Sequence, residues 1–193
     1  MRHARIERTT AETAITLDLN LDGGETRIST GLAFFDHMLH QLAKHGALGL
    51  VLEANGDLPV DSHHLIEDVG IALGQAIYTA LGEKRGIARF GSLAVPLDDA
   101  LVLGSIDLSG RAWLNFTVKF TVENLGDLKT ELVSHFFHSV SENGRFNLHL
   151  VQLAGANSHH LCEASFKAFA RSFAAAKAIT ADVSIPSTKG LLA

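Results

Sequence analysis

The alternation of apolar and polar residues predicts that the chain begins with β-strands. Residues 14–21 alternate, Asp22-Gly23-Gly24 is a turn, and residues 25–30 form a second strand, so we predict a β-hairpin. Apolar residues then recur at helical spacing before a strand pattern returns. The predicted elements of this half are a strand within 5–20, a strand at 25–30, a helix at 34–45, a strand at 48–54 and a long helix that ends near 81.

The same order of patterns returns after the polar break at 82–86. Its predicted elements are strands at 88–95, 101–108 and 112–122, a helix at 132–141, a strand at 146–153, a long helix at 158–179 and a tail at 183–190. We therefore predict an α+β fold with an internal duplication. The two halves, 1–86 and 87–193, are each expected to form a β-sheet with two helices on one face.

A nine-residue phrase occurs once in each half, at the start of the long helix. Asp61–Val69 and Asn157–Ser165 both read polar-Ser-His-His-Leu-x-Glu. On a helical wheel the histidines and the glutamate share one face, and the opposite face is apolar and expected to be buried. A capped surface helix end would explain a single such pair. The duplication instead favours a shared chemical role.

Two imidazoles and a carboxylate on one helix face are typical ligands of a metal ion. The short predicted helices add His37 and His135, which occupy matching positions in the two halves. Ligands of this kind suit Mn, Fe, Co, Ni or Zn. The candidate ligands are His37, His63, His64, Glu67, His135, His159, His160 and Glu163. The remaining histidines, His3, His40, His45, His138 and His149, are expected to be structural or surface residues.

Adjacent histidines point about 100° apart on a helix, so they are expected to serve different ions. Histidine and glutamate four residues apart can share one ion. We therefore expect two ions per site, shared between two facing helices. The helix angles place His63 and Glu67 with His160 at one ion, and His64 with Glu163 at the other.

Composition narrows the class of protein. Apolar residues make up 47% of the chain and charged residues 19%, which suits a globular protein with a sizeable core. A net charge of −5 without a basic run argues against a nucleic-acid partner, and the apolar runs are too short to cross a membrane. No apolar signal segment follows the first residues. The single cysteine, Cys162, excludes an intrachain disulfide, so we expect a cytoplasmic protein with Cys162 in its core.

A second set of residues suits an anion, and phosphate is the natural ligand of such donors. Lys167 is the most informative member, because it lies four residues after Glu163 on the ligand face of the helix. The set comprises Arg89, Arg111, Lys167 and the tail Ser187-Thr188-Lys189-Gly190.

Over almost its whole length the chain resembles the imidazoleglycerol-phosphate dehydratase family. Leu65 replaces a common threonine, and Ala112-Trp113 replaces Pro-Tyr, but neither is a ligand position. The motifs that carry the resemblance are Arg8–Thr13, Phe35–Leu39, Asp61–Asp68, Pro96–Ala100, Asp107–Arg111, Gly155–His160 and Pro186–Gly190.

The resemblance implies a fold like ribosomal protein S5 domain 2, formed by both halves together as one dehydratase domain. It implies loss of water from D-erythro-imidazoleglycerol phosphate to imidazoleacetol phosphate, in histidine biosynthesis. Two Mn²⁺ ions per active site and a homo-oligomer of 24 subunits, with the sites between subunits, are also implied. Metal ions on both ring nitrogens would help the ring to expel the neighbouring hydroxyl, and a carboxylate would then remove the proton.

The resemblance also implies individual roles. Glu12 would lie at the substrate and act as an acid or base. Glu67 and Glu163 would bind metal and could carry protons. The residues implied to hold the substrate phosphate are Arg89, Arg111, Ser187 and Lys189, and Lys167 is expected to join the substrate site.

Two other functions fit the metal ligands taken alone. A hydrolase that uses metal-bound water would cleave a phosphate or amide and would not need an imidazole substrate. A metal-storage shell would bind metal tightly without turnover, and it would have no use for Glu12 or the basic residues.

Overall fold

The computed structural model describes residues 2–192 and has an α+β fold built from two matching halves. The order of strands and helices is the same in both halves, apart from one inserted hairpin. The first half contains β1 (His3–Thr9), β2 (Thr13–Asn20), β3 (Thr26–Ser29), α1 (Ala33–Gly46), β4 (Gly49–Gly56) and α2 (His63–Leu81). The second half contains β5 (Phe90–Leu97), β6 (Ala100–Asp107), β7 (Trp113–Phe116), the inserted β8 (Asn124–Leu125) and β9 (Leu128–Lys129), α3 (Glu131–Gly144), β10 (Asn147–Ala154) and α4 (Ser158–Ala176).

Each half forms a four-stranded sheet of the same topology. The strand orders are β1-β2-β4-β3 and β5-β6-β10-β7. In both sheets the last pair is parallel and the other pairs are antiparallel. Parallel neighbours need a crossover connection, and α1 and α3 supply it. The predicted duplication of a sheet-and-helix unit is thus confirmed, while the division at residue 86 stays a prediction.

The predicted hairpin between residues 14–21 and 25–30 is wrong. β2 pairs with β1 on one side and β4 on the other, whereas β3 pairs only with β4, in parallel. A short turn does follow β2, but α1 then carries the chain back so that β4 lies between β2 and β3. Gly49 allows this close approach, because a Cβ there would lie 2.9 Å from the carbonyl oxygen of Gly23. Residues 5–20 also form two strands instead of one.

The strand predicted at 112–122 is shorter than expected and ends at Phe116. Beyond it, backbone amides find side-chain acceptors: Lys119 donates to Oε1 of Gln152, and Thr121 donates to Oγ of Ser158. The chain therefore leaves the sheet and forms the β8–β9 hairpin. Asp127 in this hairpin accepts hydrogen bonds from the backbone amides of Ala33 and Phe34, so the insertion caps α1 of the other half.

The helices exchange partners between the halves. α2 packs on the first sheet and against α3, while α4 packs on the second sheet and against α1. The α2–α3 crossing is close, since a Cβ at Gly74 would lie 2.6 Å from the carbonyl oxygen of Val140. Buried phenylalanines fill the second half of the core, with Phe136 and Phe166 stacked at 5.5 Å. Each long helix is therefore held beside the short helix of the opposite half.

The structure also bears on the predictions for Cys162 and for a membrane span. Cys162 is a fully buried free thiol, as predicted for a core residue, and burial raises the pKa of this thiol. Within residues 2–192, no helix combines the length and the apolar character that a bilayer span requires. The cytoplasmic location stays a prediction.

Candidate metal centre and active site

The repeated histidines lie in the first turns of α2 and α4, where free backbone amides are available. In α4, Oδ1 of Asn157 accepts hydrogen bonds from the amides of His159 and His160 at 2.9 and 3.2 Å. In α2, Oδ1 of Asp61 accepts from the amide of His63 at 3.1 Å. The polar residue that opens each phrase therefore fixes where the helix begins. As predicted, the apolar faces behind these histidines are buried.

The first cluster joins α2 to α3. One ligand atom each from His63, Glu67 and His135 lie within 4.8 Å of one another, which suits a single metal ion. The rings of His63 and His135 are 4.5 Å apart, and Nε2 of His135 lies 3.4 Å from Oε1 of Glu67. That nitrogen is buried and has no hydrogen-bond partner in the described chain. A buried nitrogen without a partner is costly, and a metal ion would satisfy it.

The second cluster joins α4 to α1 in the corresponding way. Oε2 of Glu163 lies 3.4 Å from Nε2 of His159 and 3.5 Å from Nε2 of His37. Its other oxygen, Oε1, accepts from Nζ of Lys167 at 2.6 Å. Among residues 2–192, no lysine or arginine pairs with Glu67 in this way, and Ile71 occupies the position of α2 that matches Lys167. Burial would raise the pKa of Glu163, but the hydrogen bond and charge of Lys167 outweigh it, so the pKa lies below its usual value.

The ligand pairing within one chain differs from the predicted pairing. His135, and not His160, lies with His63 and Glu67, while His159 and not His64 lies with Glu163. The prediction used the faces of the long helices alone. It missed the exchange of short helices, which brings His37 and His135 to the opposite halves.

His64 and His160 take different partners. Nδ1 of His64 lies 3.1 Å from Oδ2 of Asp57 and 3.6 Å from Oε2 of Glu12. Nδ1 of His160 lies 2.7 Å from Oδ1 of Asp99. Sequence reasoning assigned no role to Asp57 or Asp99. Asp99 lies in one of the motifs that carried the family resemblance, and that was the available signal.

These contacts shift the pKa values of His64 and Asp99. The hydrogen bond to Asp57 raises the pKa of His64 above its usual value. Hydrogen bonds from the amide of Ala156, from His160 and from the amide of Asn157 hold the pKa of Asp99 far below its usual value. Asp99 is therefore an anion throughout the neutral range.

Glu12 lies in the turn between β1 and β2, with half of its side chain exposed. Asp68 anchors this turn from the protein interior. Asp68 follows Glu67 in α2 and is only 6% exposed. Asp68 accepts from Oγ1 of Thr13 at 2.5 Å and from Nε of Arg8 at 2.9 Å. This buried network ties the Glu12 turn to the helix that carries the first cluster.

The predicted phosphate ligands lie in more than one place within the chain. Arg89 pairs with Asp107 at 2.8 Å and donates to the carbonyl oxygen of Pro186, which holds the tail containing Ser187 and Lys189 beside it. Among residues 2–192, no hydrogen bond or ion pair joins this group to Lys167 or Glu12. Arg111 is exposed beyond the second sheet.

A cavity of about 460 Å³ opens beside the first cluster. His63 and His135 line it together with Leu114, Glu131, Leu132, Ser134 and His138. Cavities of this size accept small molecules. The metal-ligand candidates therefore face space that a small ligand could enter.

Comparison with known proteins identifies one family. The family profile for imidazoleglycerol-phosphate dehydratase matches residues 30–173. Proteins of this name from Acidiphilium cryptum and Lacticaseibacillus casei are 55% and 53% identical, with 99% and 100% of both chains covered. The crystal structure of the Staphylococcus aureus protein of that name superposes with a TM-score of 0.85 at 35% identity, covering 92% of this chain and 99% of that one. The Pyrococcus furiosus structure, a complex with (S)-C348, gives 0.85 at 34% identity, with 97% and 100% covered.

Proposed function

Because the chain belongs to the imidazoleglycerol-phosphate dehydratase family, we propose that it catalyses the loss of water from imidazoleglycerol phosphate with two Mn²⁺ ions. The product is imidazoleacetol phosphate, and the step belongs to histidine biosynthesis. One observation above all supports the metal dependence. Each half contributes a short-helix histidine to the other half's His–Glu pair, so each carboxylate lies between two imidazoles. Among the described residues, only the first set, His63, Glu67 and His135, has all three ligand atoms within 4.8 Å of one another.

The side chains present fit a metal of this type. Each cluster offers two imidazole nitrogens and one carboxylate, a mixed N/O set that Mn²⁺ accepts. Nε2 of His135 is buried 3.4 Å from Oε1 of Glu67 and has no hydrogen-bond partner among residues 2–192. We assign His63, Glu67 and His135 to one ion, and His37, His159 and Glu163 to the other. When bound, the ions supply Lewis-acid activation of the substrate's imidazole ring.

We propose that His64 and His160 complete the two sites across a subunit contact. Each lies one position after a cluster histidine, and so points about 100° away from it. Each is also partnered, through Nδ1, by a carboxylate outside its own chain's clusters. An ion held by three ligands of one chain can then take its fourth from a neighbouring chain.

Glu12 is our candidate for proton transfer. The reaction removes hydrogen from a carbon that bears a hydroxyl group, and that hydrogen is only weakly acidic until the ring is activated. A half-exposed carboxylate 3.6 Å from His64 suits this task. Glu67 and Glu163 hold metal and can relay protons. Lys167 binds the substrate from the second cluster, and Arg89, Arg111, Ser187 and Lys189 bind its phosphate.

We propose a homo-oligomer, with 24 subunits as the expected size. The outer face of the second sheet supports subunit contacts, because it carries apolar residues where the matching positions of the first sheet are polar. Phe90 and Trp113, both on the second sheet, are 58% and 62% exposed in the single chain. A matched row on the outer faces reads Glu7, Thr16 and Glu53 in the first sheet but Ala94, Leu103 and Val151 in the second. Exposed apolar surface of this kind marks protein contacts.

The proposed reaction is tested by following keto product formed from imidazoleglycerol phosphate. Chelator-treated protein should be inactive, and added Mn²⁺ should restore product formation. Hydrolysis of phosphate without keto product would instead indicate a hydrolase. Tight metal binding with no turnover of this substrate would indicate a storage protein, and either result would overturn the proposal.

A further inference from the structure

The two histidines outside the clusters are each held at the same ring atom. Nδ1 of His160 lies 2.7 Å from Asp99, and Nδ1 of His64 lies 3.1 Å from Asp57. An ionised carboxylate can only accept a hydrogen bond, so the ring proton must be on Nδ1. In the neutral ring, Nε2 then carries the lone pair that a metal ion needs. In His160 this atom lies 3.4 Å from Oδ2 of Asp98, an exposed carboxylate that an ion at Nε2 would meet or displace.

The supporting carboxylates come from unrelated loops, although the histidines match. The strand registers equate Glu12, just before β2, with Asp99, just before β6. Asp99 makes the close contact to its histidine, while Glu12 stays 3.6 Å from its own. Asp57, which follows β4, takes over that contact in the first half. Asp57, and not Glu12, therefore makes the hydrogen bond that orients His64.

Resting on the proposed function, we propose that Asp57 and Asp99 are positioning residues, which fix the ring orientation and tautomer of His64 and His160 so that Nε2 of each can bind metal. Carboxylate support of this kind orients metal-binding histidines in proteins, and its loss typically costs roughly 10- to 100-fold in metal affinity. Glu12 is thereby left for proton transfer, so the duplicated acidic positions have separate tasks.

Asp99 allows a substitution that changes the tautomer and little else. Its Oδ2 accepts from the backbone amides of Ala156 and Asn157 at 2.8 and 3.1 Å. In Asp99→Asn, the amide oxygen must keep facing those two donors, so the NH₂ group faces Nδ1 of His160. The ring proton would then move to Nε2 and block metal binding there.

Asp57 provides an independent second variant. Among the described residues no backbone amide donates to its carboxylate, so Asp57→Ala removes the support of His64 without loosening a loop cap. Asp18→Asn is the matched control. Asp18 also holds a histidine, His3, at 2.8 Å, but that pair lies on the outer face of the first sheet.

The experiment titrates chelator-stripped full-length protein with Mn²⁺ and follows the free ion by electron paramagnetic resonance. Melting temperatures of the metal-free variants are measured in parallel. We expect Asp99→Asn and Asp57→Ala each to weaken Mn²⁺ binding by roughly 10- to 100-fold, with unchanged metal-free melting temperatures, and Asp18→Asn to match the wild type.

Affinities within about twofold of wild type in both variants would overturn the assignment. Variants that bind Mn²⁺ more weakly but also melt at a clearly lower temperature without metal would also overturn it, because that result would indicate a structural role. Wild-type protein that binds no Mn²⁺ would defeat the metal dependence of the proposed function, and the positioning role with it. Normal wild-type binding with unaffected variants defeats the positioning role alone.

Discussion

Nε2 of His135 lies 3.4 Å from Oε1 of Glu67, although the two residues belong to opposite halves of the duplicated chain. The contact exists because α3 crosses α2 closely. His37 and Glu163 repeat the relationship at 3.5 Å with the roles of the halves reversed. Neither half could build either cluster alone, so the clusters depend on the packing of the halves.

The close α2–α3 crossing gives a prediction about stability. Gly74→Ala places a Cβ 2.6 Å from the carbonyl oxygen of Val140, so the helices must move apart. Overpacking of this kind costs about 1–3 kcal/mol, and we expect a lower melting temperature and weaker metal binding. Thr79→Ala, at an exposed position of α2, should stay within about 0.5 kcal/mol of wild type. Equal stability of both variants in denaturant titrations would contradict the close packing.

Glu12 gives a prediction about turnover. Glu12→Gln should retain fold, metal and assembly but lose roughly 100-fold or more in kcat, the usual scale for a lost acid or base. Glu7→Gln is the control, since Glu7 is an exposed carboxylate of the preceding strand that pairs with Arg5. Near-normal kcat in Glu12→Gln would restrict Glu12 to substrate binding.

The proposed phosphate ligands give a prediction about substrate affinity. Arg111→Ala and Lys189→Ala each remove a charged donor and should weaken substrate binding by about 1.5–3 kcal/mol, while metal content stays the same. Arg27→Ala serves as the control. Arg27 is an exposed arginine on the first sheet, and its ion pair with Glu25 is long, at 3.7 Å. An unchanged KM in both Arg111→Ala and Lys189→Ala would place the phosphate elsewhere.

Metal removal gives a prediction about assembly. If His64 and His160 bind ions of neighbouring chains, metal-binding free energy contributes to assembly. A strong chelator should convert the proposed homo-oligomer into smaller units, with trimers expected, and Mn²⁺ should restore both size and activity. His63→Ala and His160→Ala should behave like the chelator. Light scattering that shows full-size metal-free protein would contradict ligand sharing between subunits.

The sequence predicted which histidines and glutamates come together better than it predicted their pairing. The repeated phrase identified His63, Glu67, His159 and Glu163 because i and i+4 spacing fixes a helix face regardless of tertiary structure. The partners His37 and His135 were predicted as ligands, but not which cluster each joins. That depends on helix packing between the halves, which local pattern does not encode.

The strand errors have a related cause. The turn after β2 has a hairpin composition, yet β4 pairs with β2 because α1 supplies a crossover. Pairing between distant strands leaves no local signal. Asp57 and Asp99 were missed because no local sequence pattern links them to His64 and His160, from which they lie 7 and 61 positions away.

The most direct test of the account is the Mn²⁺ content of fully loaded protein, measured per chain by elemental analysis. Two clusters per chain predict two ions in the wild type. His135→Ala should lose the ion of the first cluster, and His37→Ala should lose that of the second, so each variant should retain about one ion. Active wild-type protein with one ion or fewer per chain, or both variants retaining two, would contradict the two-cluster account.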